Sequence, residues 1–216
     1  MTTAPALSVA GTAWGRAQAQ LAEALRRLSA IQAEVWRPVR DLGLEEIAEL
    51  EVLGAGNDRL VVALESGLIA KLEADPEPLL RGAANGQNGA ERAIWRRAGP
   101  LTRQLLCPVL AHGRAARGSW LVMPYCVPET VETFSFDADG EVDFESGPEA
   151  ISWVAVTLTE DAVLAENQGW LEGRRVVLDY GRSRHLSSLP ILERHLQELA
   201  GADRSAVVAT PGRSLS

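Results

Sequence analysis

Residues 51–71 constrain this chain more tightly than any other stretch. From Glu51 to Lys71 the order of apolar and turn-forming residues reads strand, glycine-rich turn, strand, tight turn, strand. Leu60 to Leu64 is a buried apolar run, Glu65-Ser66-Gly67 is a hairpin turn in which Gly67 can take positive φ, and Leu68 to Leu72 is the returning strand. Strands joined by turns this short are antiparallel neighbours, so the segment commits the chain to a small antiparallel sheet. The last strand carries Lys71. Of 21 basic residues it is the single lysine; every other one, from Arg16 to Arg213, is arginine. A lysine is a compact point charge on a flexible stem, an arginine a wide planar fork. At the end of a buried strand, the ammonium suits a phosphate held in a narrow cleft.

Around this sheet the sequence predicts helices and one long polar insertion. Residues 13–35 read as an amphipathic helix with Leu21, Leu25, Leu28 and Ile31 on one face, and Leu42 to Leu50 as a short second helix. Asp75-Pro76-Glu77-Pro78 ends the lysine strand, and residues 85–88 form a polar loop. A helix is expected from Gly89 to Ala98, with Asn88 as N-cap and Glu91 completing a capping box, stopped by Gly99-Pro100. Leu105 to Ala111 and Ser119 to Met123 read as strands joined by a basic loop. Residues 127–150 are acidic, with a surface hairpin around residues 134–144. Glu149 to Leu158 reads as a buried helix, Glu166 to Gly169 as a turn, Arg175 to Leu178 as a strand, and Leu189 to Leu199 as a last helix.

Composition narrows the partners. The chain has 216 residues, 46% hydrophobic and 23% charged, with net charge −8. That suffices for two small lobes, and the acidic balance argues against nucleic acid as a partner. No apolar run approaches the length of a membrane span, and the first residues lack a basic n-region, so the expectation is a cytoplasmic protein without membrane attachment. Cys107 and Cys126 lack paired-ligand spacing and read as reduced, structural thiols. His112, His185 and His195 are scattered and do not suggest a zinc site.

Leu53-Gly54-Ala55-Gly56-Asn57-Asp58-Arg59-Leu60-Val61 resembles the glycine-rich loop of protein kinases, with Gly54 and Gly56 as two of the three glycines, Arg59 at the third, and Val61 at the valine that roofs the adenine. Further matches follow in the family's order. Ile69-Ala70-Lys71 is similar to the strand whose lysine contacts the α- and β-phosphates. Glu91 is placed like the glutamate that pairs with that lysine. Trp120 to Tyr125, with Met123 and Tyr125, resembles the strand entering the hinge, where backbone groups meet the adenine edge. Glu166-Asn167, an apolar strand, then Asp179-Tyr180-Gly181 resembles the catalytic loop followed by the magnesium-binding Asp-Phe-Gly. The hard Mg²⁺ ion wants oxygen ligands, and the resemblance assigns it Asn167 and Asp179.

What the resemblance implies is a bilobal α+β, protein-kinase-like fold. Its parts would be an N-terminal helical extension (1–44), an N-lobe (45–123) with a small antiparallel sheet and one helix, a hinge near Pro124, a reduced C-lobe (124–200) and a mobile tail (201–216). It implies ATP and Mg²⁺ as cofactors and phosphotransferase chemistry. The pattern departs at one key place. The family's catalytic aspartate lies five residues before the asparagine, where this chain has Ala162; Asp161 is one residue early and stands as the candidate base. Without a carboxylate there, a pseudokinase that binds nucleotide without transferring phosphate remains open. So does an interaction protein acting through the N-terminal helix or the acidic loop 129–150. The short stretch after Gly181 points to a compact prokaryotic or viral kinase-like protein rather than one that docks protein substrates.

Overall fold

The computed structural model describes residues 11–34, 38–65, 67–74, 86–115, 118–129, 149–181 and 186–208. The proposed hairpin at 134–144, most of the acidic loop, the break at 75–78 and the last residues of the tail lie outside them. The described chain is α+β and falls into two compact units, one formed by residues 1–88 and 110–125, the other by 89–109 and 126–216.

The first unit is built on helix α1 (Gly11–Glu34) and a six-stranded antiparallel sheet. Its strands are β1 (Glu46–Ile47), β2 (Leu50–Ala55), β3 (Arg59–Leu64), β4 (Leu68–Ala74), β5 (Ala111–Ala115) and β6 (Gly118–Pro124), ordered β1-β2-β3-β4-β6-β5. Side chains alternate between faces along a strand. One sheet face carries Leu60, Val62, Ala70, Leu72, Trp120 and Val122 and joins Leu21, Ala24, Leu25 and Leu28 of α1 in one core. The spacing of these four residues puts them on one stripe of the helix. The apolar face of α1 is therefore used inside the unit, and its charged side lies on the exposed face. There Glu23 accepts hydrogen bonds from Arg26 and Arg27. Gly118 lets α1 come close, because a Cβ there would meet Leu25 and the Glu73 carbonyl.

The predicted helix at 42–50 does not form. A short 3₁₀ turn, Val39–Leu42, ends on Gly43 in the left-handed region at φ 61°. Ala48 and Glu49 then both take positive φ, and Ile47 pairs with Leu50 as a hairpin. Burial of Ile47 and Leu50 on the sheet outweighs the helical tendency of Glu-Glu-Ile-Ala-Glu.

Helix α2 (Gln87–Arg97), which belongs to the second unit from Gly89 onward, leads through Gly99 into α3 (Pro100–Leu105), where a strand was expected from Leu105 onward. Residues 106–110 are extended but outside any strand, and Pro108 lacks the amide a ladder needs. A small antiparallel sheet, β7 (Val127–Pro128), β8 (Gln168–Leu171) and β9 (Arg174–Val177), follows with order β7-β8-β9. Helices α4 (Glu149–Thr157) and α5 (Leu189–Val208) complete the unit; α5 runs on into the stretch read as tail. Leu106 bridges Val177 in parallel, and the Cys107 amide donates to the Val177 carbonyl, so the residues after α3 extend this small sheet.

Candidate functional site

In the first unit the sheet aligns three of the candidate residues. Gly54 pairs with Val61, Val61 with Lys71, and Lys71 with Leu121. Residues opposite one another in an antiparallel ladder point to the same face, so Gly54, Val61 and Lys71 form one row on the face turned away from α1. Met123, two positions beyond Leu121, shares that face and is buried. Lys71 is only 5% exposed, which places its ammonium in a confined setting. A bulge between Val52 and Gly54 shifts the β2 register by one and brings Gly54 opposite Val61. Gly56 closes the β2–β3 turn, its amide donating to the Arg59 carbonyl at 2.8 Å.

Neither glycine is demanded by this fold. A Cβ on Gly54 would meet no atom within 4 Å, and one on Gly56 would touch only the Arg59 carbonyl at 3.9 Å. The space above them is open to an incoming group. Arg59, at the third glycine position, is buried and stands opposite Glu73 in the ladder. Tyr125 lies just past β6; its side chain is about half exposed and its amide donates to the Gly67 carbonyl at 2.8 Å.

Glu73 was not singled out from the sequence, yet it organises the start of α2. Its carboxylate accepts the amides of Gln87 (2.7 Å) and Asn88 (2.9 Å), the donors that a helix N-terminus leaves open. Asn88 is therefore not the N-cap: it lies inside the first turn, and its side-chain amide donates to the carbonyls of Lys71 and Ser119. The capping box expected with Glu91 is replaced by this longer-range cap. Burial pushes the Glu73 carboxyl up, only partly offset by the amides of Asn88 and Gln87 and the charge of Arg59. Glu91, on α2, is wholly buried.

In the second unit, Asn167 is the pivot. Its side-chain amide donates to the Asp161 carbonyl at 2.9 Å, and its own carbonyl accepts the Leu178 amide at 2.7 Å. One residue thus ties the 3₁₀ turn Glu160–Val163, which carries Asp161, to the exit of β9, which carries Asp179. The β8–β9 hairpin sets the register, Gln168 opposite Val177, and its turn residues Glu172 and Gly173 take the positive φ that a two-residue hairpin requires. Gln168, also unremarked in the sequence, reinforces the tie: its buried amide donates to the carbonyls of Ala162 and Val163. Ala162 is fully buried.

Tyr180 fixes the direction of the Asp179-Tyr180-Gly181 turn. Its ring is fully buried, and its hydroxyl donates to the Cys107 carbonyl at 2.7 Å. Asp179 is left half-buried, with its carboxylate accepting the Gly181 amide at 3.4 Å. Among the described residues no group of three or more His, Cys, Asp or Glu side chains is arranged to hold a metal. Asp179 and Asn167 carry side-chain oxygens of the kind a hard cation takes. With the Asn167 side-chain nitrogen donating to the Asp161 carbonyl, its Oδ1 is the end that can accept.

No protein-family model and no curated protein matches this chain. Among solved structures it is similar to monomeric WbdD, at 19% identity and a TM-score of 0.34, over 66% of this chain and 37% of that one. A co-crystal of WbdD with a kinase inhibitor is also similar, at 18% identity and a TM-score of 0.28, over 61% and 32% of the two chains. This chain thus spans roughly a third of the WbdD chains it matches. None of its described helices is long and apolar enough to cross a membrane.

Proposed function

We propose that this chain is a kinase-like protein that binds magnesium–ATP and uses it in phosphoryl transfer. The observation that carries the reading is Asn167, which ties Asp161 and the approach to Asp179 to itself through one side chain and one backbone carbonyl. Three residues chosen for one chemistry, spread over 19 positions of sequence, share one local framework. The row Gly54–Val61–Lys71 on a single sheet face supports it.

In this reading Asp179 and Asn167 hold the magnesium, and Lys71 meets the phosphates. Glu91 orients Lys71, and Val61 and Met123 border the base together with the Tyr125 carbonyl. The bound nucleotide supplies the phosphoryl group; the chain positions it and accepts a proton. That last role falls to Asp161, whose 3₁₀ turn is held by Asn167 and Gln168. A general base contributes on the order of 10²–10⁴ in rate.

A second reading, binding without transfer, is favoured by Ala162. It occupies the family's aspartate position and is sealed from solvent, with its carbonyl engaged by Gln168. A third keeps the fold as an interaction module that binds no nucleotide. Thermal unfolding with and without magnesium–ATP separates them. At about 100 times its dissociation constant, a ligand adds roughly 2.7 kcal/mol of stability. No shift at millimolar nucleotide leaves the interaction module. If a shift appears, Asp179→Ala and Lys71→Ala should each abolish it. Asp161→Asn should keep the shift and lose turnover; turnover unchanged in that variant removes Asp161 from the chemistry.

A further inference from the structure

The two cysteines, 19 positions apart, meet inside the second unit. Their sulfurs lie 3.4 Å apart, and no disulfide joins them. Both residues are held by their surroundings. Cys107 donates its amide to Val177 on β9 and accepts the Tyr180 hydroxyl at its carbonyl. Cys126 packs on β8 so tightly that a Cβ on Gly169 would sit 3.0 Å from its own Cβ. Two thiols held in contact need only close from this distance to a bond of about 2.05 Å. Such a pair has a high effective concentration for joining.

We propose that Cys107 and Cys126 are a reversible dithiol that a peroxide converts to an intramolecular disulfide. Cys126 is the more accessible, 6% exposed against 1% for Cys107. It attacks first: the thiol gives up its proton, the sulfur takes one peroxide oxygen as the O–O bond breaks, and the departing hydroxide takes up that proton and leaves as water, giving a sulfenic acid. The Cys107 sulfur then attacks the Cys126 sulfur, the S–O bond breaks, and a second water carries off the oxygen. Two thiols and one peroxide become one disulfide and two waters. The inference does not depend on nucleotide binding.

The test is to treat the folded chain with hydrogen peroxide, quench, unfold, and count thiols while measuring intact mass. The expected result is a fall from two thiols to none, a loss of two hydrogens from the monomer mass, and full recovery with dithiothreitol. Cys107→Ser keeps the backbone bonds and should instead trap a sulfenic acid on Cys126, captured by a dimedone-type probe; circular dichroism confirms that the variant is folded. Two intact thiols after treatment would overturn the proposal, provided that the unfolded chain does form the bond in the same oxidant. So would sulfinic acid in place of the bond, or disulfides only between chains.

Discussion

Gly54 separates what the fold needs from what a ligand needs. Its φ is not in the left-handed region, and a Cβ there would point into open space. Gly54→Ala should therefore leave the chain as stable or raise its stability by about 0.4–1 kcal/mol, through a less flexible unfolded state. If phosphates approach this backbone, the added methyl occupies their space, and magnesium–ATP should bind more weakly. Denaturant titration and the nucleotide-induced thermal shift, measured on the same variant, give the two numbers. A loss of stability would mean that the strand itself wants glycine; unchanged affinity would move the phosphates elsewhere. Lys71 admits no such clean separation, because it is nearly buried in the sheet and its removal disturbs packing as well as charge.

At the scale of elements, two helix starts are capped by carboxylates from far along the chain. Glu73 caps α2, and Glu193 of α5 accepts the amides of Leu101 and Thr102 and the Thr102 hydroxyl at the start of α3. Their titrations run in opposite senses. Burial raises the Glu73 carboxyl. Burial also works to raise Glu193, but the Thr102 hydroxyl and the Thr102 and Leu101 amides outweigh it and hold that carboxyl below its usual value. A carboxyl lowered by folding contributes stability above its unfolded value and loses it as pH falls through the folded one. Glu193→Ala should cost about 1 kcal/mol at pH 7, and the gap from the parent should close as the pH is lowered through the acid range. A gap that persists in strong acid would show that Glu193 acts by packing. Neither cap was legible in the sequence. Capping boxes are read over three residues, whereas these partners lie 14 and 92 positions apart. The same holds for Gln168 and for the cysteine pair. By contrast, the β2–β3–β4 meander and helix α4 were legible because their signals are local: turn residues at fixed offsets and apolar runs of strand or helix length. Leu42 to Leu50 misled because two positive-φ residues, Ala48 and Glu49, make a hairpin turn without the Asn-Gly signature.

For the whole molecule, the consequential fact is that α1 is part of the first unit's core and not an appendage. Leu21, Leu25 and Leu28 are fully buried against the strands that carry Val62, Leu72 and Val122. The opposite face of the same sheet bears Gly54, Val61 and Lys71, so their row is held straight by a core that α1 completes. Leu25→Ala removes a buried side chain at the centre of this packing and should destabilise the chain by about 2–5 kcal/mol. For a domain whose total stability is on the order of 5–15 kcal/mol, that is a large share. The same variant touches none of the candidate nucleotide residues. Below its lowered unfolding midpoint, its affinity for magnesium–ATP should match the parent within about twofold, since only the folded state binds and the folded state is still populated. Urea titration followed by nucleotide titration checks both halves. A Leu25→Ala chain of undiminished stability would show that α1 is dispensable packing. A stable chain that had lost nucleotide affinity would instead place α1 among the elements that shape the site.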